Sequence, residues 1–154
     1  MVNPIFRKAK HEDAEMISEF NIKMAAETEG KKLDEDLVLK GVKAVIEDPD
    51  KGFYVVADKG ENEPEIIGQM LVTFEWSDWR NKFFWWIQSV YVDQNYRHQR
   101  IFSNLHSKIM QIAKSNKDVC GLRLYVKTNN ELAKKVYDAL GMNKTSYEVY
   151  EEAL

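Results

Sequence analysis

Apolar positions at Ala14, Ile17, Phe20 and Met24 recur at helical spacing and predict an amphipathic helix over His11 to Thr28, with Asn21 a polar residue on the edge of the stripe. Leu37, Val38, Val42, Val45 and Ile46 predict a second helix from Asp34 to Glu47, ended by Asp48-Pro49-Asp50 because proline disfavours a preceding helical residue. Ile5 to Lys8 and Phe53 to Asp58 read as short strands. Ile66 to Trp76 reads as a longer strand that forms a hairpin with Phe53 to Asp58 across Lys59 to Pro64. Phe83 to Val92 is so largely apolar that it suits a central strand covered on both faces. A helix over Ile101 to Asn116, a strand over Gly121 to Val126, a helix over Glu131 to Leu140 closed by Gly141 and a last strand over Met142 to Glu151 complete the pattern.

The order β, α, α, β, β, β, α, β, α, β requires antiparallel hairpins early and parallel neighbours late, hence a mixed sheet between helices. A chain of 154 residues with 44% hydrophobic and 31% charged residues suits one domain, and no linker or repeat divides it. The formal net charge of -3 argues against nucleic acid as a partner. The apolar run at Phe83 is about half a membrane span and the N-terminus lacks a signal-peptide core, so no membrane partner and a cytoplasmic location are expected. One cysteine, Cys120, excludes an intramolecular disulfide and suits core packing, and three scattered histidines give no metal-ligand spacing.

The candidate chemistry begins at the polar loop Asp93 to Arg100, between the apolar strand and the helix that opens near Ile101. A helix N-terminus presents amides without internal acceptors and a favourable dipole, and Arg97, His98 and Arg100 add potential cations, which suits an anion. No glycine occurs between Gly68 and Gly121, although phosphate loops commonly use glycine for close backbone approach.

Ser89-Val90-Tyr91-Val92, Tyr96-Arg97-x-x-Arg100-Ile101-Phe102, Asn129-Asn130 and Tyr137-x-x-Leu140-Gly141-Met142 occur in order, and with them the chain resembles the GNAT N-acetyltransferases. The resemblance covers nearly the whole chain, with its specific motifs in residues 88 to 142. It implies a single-domain α/β (α+β) fold: a mixed, mostly antiparallel sheet of 6–7 strands with helices on both faces and a splayed parallel strand pair. It implies acetyl-CoA as cosubstrate, no metal, and direct transfer of the acetyl group to a small-molecule or peptide amine in a ternary complex.

By the same resemblance, the backbone of Val90, Tyr91 and Val92 pairs with the pantetheine arm like an added strand. The turn Arg97, His98, Gln99, Arg100, Ile101, Phe102 holds the pyrophosphate, with Arg97 at the family's Arg/Gln position and Arg100 and Phe102 where small residues are usual. Asn130 opens the coenzyme-side helix, and Tyr137, two turns on, protonates the leaving thiolate. Some members carry a glutamate where this chain has Gln88, so Glu75, or a water held by Gln88, is the candidate for the base. Glu27 and Glu29, with Trp76 and the other tryptophans, suit a cationic amine. A homodimer is the family expectation. The departures at Arg100, Phe102 and Gln88 keep open a non-catalytic acyl-CoA-binding or regulatory module of the same fold.

Overall fold

In a computed structural model that describes residues 2–154, contacts group the chain into two compact units, one up to Leu124 and one from Tyr125 to Leu154. In the first, a five-stranded sheet runs in the order β1 (Ile5–Lys8), β2 (Phe53–Asp58), β3 (Ile66–Ser77), β4 (Lys82–Val92), β5 (Val119–Arg123). The first three pairings are antiparallel and β4–β5 is parallel. The mixed, mostly antiparallel character expected from the sequence is present, with five strands among the described residues in place of the expected 6–7.

Two of the predicted strands differ. The fifth runs from Val119 to Arg123, not from Gly121 to Val126, because its pairing to β4 ends at Trp86 and Arg123. Met142 to Glu151 forms no strand. Tyr147 and Val149 alternate with polar neighbours as a strand would, but a strand requires a ladder to accept its main-chain bonds, and this segment has none among the described residues.

Helices α1 (Ala14–Glu29) and α2 (Glu35–Glu47) cover one face, and α3 (Ile101–Lys114) covers the other. A 3-10 turn at His11–Asp13 takes the start of the first predicted helix. α1 ends at Gly30, whose φ of 62° places it in the left-handed region, and α2 opens where the Asp34 carboxylate accepts from the Leu37 amide at 3.0 Å. On the α3 face, Val55, Met70, Val72, Trp85 and Ile87 pack against Ile101, Leu105 and Ile109. A Cβ on Gly68 would lie 2.9 Å from Ile101 Cγ2, so the close seating of α3 on β3 depends on that glycine. On the other face Tyr54, Val56, Leu71 and Tyr91 pack against Ile17 and Phe20 of α1 and Val42 of α2. The second unit carries α4 (Glu131–Ala139).

Candidate active site

β4 changes character along its length. From Phe83 to Trp86 it is paired on both edges, to β3 and to β5; from Ile87 to Val92 it is paired to β3 alone. The parallel pair therefore opens at Trp86 and Arg123. Just past that point the β3–β4 register slips between Gln69 and Leu71, and Ser89 has a φ of 48°. The extra residue is a bulge, which turns Val90 and Val92 onto the α3 face and Tyr91 onto the α1 face.

A buried polar network stands under the bulge. The Gln69 side chain, fully buried, donates through Nε2 to Asn21 Oδ1 at 2.7 Å and to the Ser89 carbonyl at 3.2 Å. Asn21 in turn donates to the Tyr54 hydroxyl at 3.3 Å, and burial raises the Tyr54 phenol above its ordinary pKa. Gln69 was not singled out from the sequence, and Ser89 was read only as part of the strand motif Ser89-Val90-Tyr91-Val92. A carboxamide inside the apolar run Ile66 to Leu71 was the available signal for Gln69, as Asn21 was at the edge of its helical stripe.

Beyond Val92, a 3-10 turn at Gln94–Tyr96 leads to the loop before α3. His98 and Arg100 both lie in the left-handed region, at φ 63° and 64°. Arg100, aligned with a glycine of the family motif, thus takes a conformation that glycine adopts without strain and a β-carbon disfavours. It is the N-cap of α3, and its carbonyl accepts the amide of Asn104 at 3.0 Å, so the first-turn amides of the helix precede its first internal bond. Ile101 is buried in the core, Phe102 is half-buried against it, and the Gln99 Oε1 accepts from the Val2 amide at 3.4 Å.

Arg97 projects back along β4. It donates through Nε to the Val92 carbonyl at 2.9 Å and through Nη2 to Glu27 Oε2 at 2.8 Å, while Glu27 Oε1 accepts from the Tyr91 hydroxyl at 2.8 Å. Glu27, Tyr91 and Arg97 thus form one cluster joining the end of α1 to the strand and the turn. The hydrogen bonds from Arg97 and then Tyr91 hold the Glu27 carboxyl below its usual range, and burial together with Glu27 pushes the Tyr91 phenol up to about 12. Glu29 pairs with Lys31 across 3.9 Å.

A second cluster occupies the α1 side of the sheet at the paired end of β4. Glu75 accepts from the Trp86 indole at 3.0 Å and from Arg123 Nη1 at 2.8 Å and 3.3 Å. The Trp86 bond first, and Arg123 after it, lower the Glu75 pKa, which makes this carboxylate a weak base. Gln88 donates to the Thr73 hydroxyl. Trp76, next to Glu75 on an alternating strand, falls on the opposite face, where its ring meets Phe83 edge-on at 4.9 Å. Arg123 was missed by the sequence reading; a charge within the strand Val119–Arg123 was the signal.

In the second unit, the Asn130 side chain accepts from the Ala133 amide at 3.1 Å and caps α4. Tyr137 lies two turns along that helix, half-buried, its phenol held above its ordinary pKa by burial, so it keeps its proton at neutral pH. Among the described residues no group of His, Cys, Asp and Glu side chains could hold a metal ion, and no helix is long and apolar enough to cross a membrane.

Comparison with known proteins bears on these features together. The crystal structure of a possible acetyltransferase from Clostridium difficile 630 is 42% identical, covers 100% of this chain and 99% of its own, and superposes with a TM-score of 0.91. A predicted acetyltransferase from Clostridium acetobutylicum, solved with acetyl-CoA, shares the fold at 17% identity and a TM-score of 0.76, over 97% of this chain and 96% of its own. So does an acetyltransferase of Trypanosoma brucei, at 16% identity and a TM-score of 0.72, over 98% and 100%. No curated protein sequence matches the chain. Residues 12–142 match the acetyltransferase (GNAT) family, and with its bulged strand, open parallel pair and helix-capping turn the chain belongs to that family.

Proposed function

We propose that the protein transfers an acetyl group from acetyl-CoA to an amine within a ternary complex. Membership of the family supports acyl-CoA-dependent acetyl transfer in general; the roles of individual residues are our reading. The observation that carries it is the edge of β4 from Ile87 to Val92, which β5 leaves unpaired and which is followed, after the 3-10 turn and the loop through Arg100, by the first turn of α3. An amide-bearing chain such as pantetheine can pair with that edge, and the pyrophosphate then meets the amides of the α3 N-terminus. The residues present fit the coenzyme: Val90, Tyr91 and Val92 offer main-chain groups, and the turn from Arg97 to Phe102 offers amides with cations around them.

Acetyl-CoA supplies the activated thioester. The protein's part is to polarise the carbonyl, accept the amine in its uncharged form, and return a proton to sulfur as the carbon–nitrogen bond forms and the carbon–sulfur bond breaks. Tyr137 is the proton donor in this reading. Gln69 and Asn21 hold the Ser89 bulge and so fix the main-chain groups that follow it. Glu75, committed to Trp86 and Arg123, positions those two side chains, and the amine proton leaves through water held at Gln88.

Release of coenzyme thiol, measured with acetyl-CoA and a panel of amines, tests the reading: thiol should appear only when both substrates are present. Tyr137→Phe should lower kcat by about tenfold to a hundredfold with little change in the melting temperature. An unchanged kcat, with chemistry shown to be rate-limiting, removes the acid role from Tyr137. Coenzyme binding without transfer to any amine would favour a regulatory module instead.

A further inference from the structure

On the reading above, the amine has one direction of approach. The edge of β4 is closed by β5 up to Trp86, so a coenzyme arm laid along it ends beside Trp86 and Arg123. On the α3 face at that place Trp85 and Ile87 are only 5% and 4% exposed, and the core excludes a second substrate. On the opposite face Thr73, Glu75, Phe84, Trp86, Gln88 and Arg123 are half-buried and belong to neither packed cluster. An acceptor reaching the thioester passes over these side chains.

With Arg80 beside them, their net charge is positive. The Arg123 guanidinium lies 3.6 Å from the centre of the Phe84 ring, and the Arg80 guanidinium 4.9 Å from the same centre. Two arginines thus stand near the single carboxylate of Glu75, which is bonded to Arg123 alone, and a sum of +2 and −1 leaves +1 in the cluster. Glu75 meets Arg123 through one nitrogen, Nη1. A guanidinium carries five N–H donors in a planar fork, and one held over an aromatic ring and anchored at one nitrogen is prepared to take an oxyanion with the others. Among the described residues no carboxylate forms an ion pair with Arg80. The acids expected to attract a cationic amine are engaged elsewhere, since Glu27 is bound by Tyr91 and Arg97 at the far end of the strand and Glu29 pairs with Lys31.

We infer that the acceptor is an amine that also carries a carboxylate or phosphate group, bound through that anion by Arg123 and Arg80 beside Phe84 and Trp86. Glu75 acts as a positioning residue by orienting Arg123. The inference rests on the transferase reading and narrows it to a class of substrate.

The test is a set of matched acceptors with acetyl-CoA and thiol release as readout: an amino acid against its amide, phosphoethanolamine against ethanolamine, and spermidine as a cation. The anionic member of at least one pair should have a kcat/KM about tenfold or more above its neutral partner, with spermidine lowest. The amino-acid and phosphate pairs distinguish the two anions. Arg123→Gln should bring the ratio near unity, chiefly through KM. Arg80→Gln, at an exposed position, should lower the ratio about threefold and provides the test if the first variant does not fold. Preference for neutral or cationic amines, or a ratio unmoved in both variants, overturns the inference. Failure to acetylate any member overturns it as well. In that case a melting temperature still raised by acetyl-CoA shows that coenzyme binding stands, whereas no rise removes the transferase reading too.

Discussion

The two faces of the sheet are built from different chemistry. On the α3 face the contacts are apolar from Val55 through Trp85 to Leu105 and Ile109. On the α1 face the apolar cluster is threaded by buried polar groups: Asn21 and Gln69 under the bulge, and Asp13 and Asp58 around Arg7. Arg7 donates to Asp13 at 2.7 Å and 3.1 Å and to Asp58 at 2.8 Å, tying β1, the 3-10 turn and β2 together. An apolar face holds elements together without directing any one atom. A hydrogen-bonded face fixes particular main-chain groups, and here it fixes the bulge next to the open edge of β4. Stability and geometry are thus assigned largely to opposite sides of one sheet.

The largest effect should come from the apolar side. Leu105 is fully buried, and Leu105→Ala should destabilise the protein by about 3 kcal/mol, read as a lower denaturation midpoint, while the kcat of the folded fraction changes little. Gln69→Leu should do the reverse. It strands the Ser89 carbonyl and the Asn21 amide oxygen for about 1–2 kcal/mol of stability, and kcat should fall by about tenfold as the bulge loses its anchor. If the two variants lose activity in equal proportion to stability, the division between the faces is wrong.

His106 is the exception that sharpens the contrast, a buried polar residue on α3 with no hydrogen-bond partner at Nε2 among the described residues. Burial lowers its pKa below the ordinary 6.5, so the native state resists protonation that the unfolded chain accepts. Its contribution to stability is complete above pH 6.5 and is lost as the pH falls from 6.5 through the lower folded value. In His106→Leu, denaturation midpoints measured between pH 7 and 5 should fall less steeply than in the parent; parallel curves would count against it. The smallest expected effect lies in the turn. Arg100→Gly removes a β-carbon from a φ of 64° and should raise stability by about 1 kcal/mol in a thermal melt of the free protein.

Much of this plan was legible in the sequence. Helical stripes gave α1, α2 and α3, and β2 was bounded as it stands because turn-forming residues flank a β-branched and aromatic run. The open parallel pair followed from the family resemblance. What local pattern could not supply depends on partners distant in sequence. Tyr147 and Val149 alternate like a strand but meet no ladder, the bulge at Ser89 arises from register against Gln69, and Arg123 acquires its setting only where Glu75 and Phe84 come alongside. Arg97 and Glu27, read as a phosphate ligand and an acceptor ligand, are 70 residues apart and bonded to each other, a pairing no spacing rule predicts.

The central claim is that the open edge of β4 and the turn after it form one coenzyme track. Assigned amide signals followed by NMR during titration with acetyl-CoA test it directly. The account predicts saturable shifts concentrated in Gln88 to Val92 and in Gln99 to Ser103, with the Trp86 indole signal moving at the end of the track. Saturable binding whose shifts fall elsewhere, or no binding at all, would contradict it.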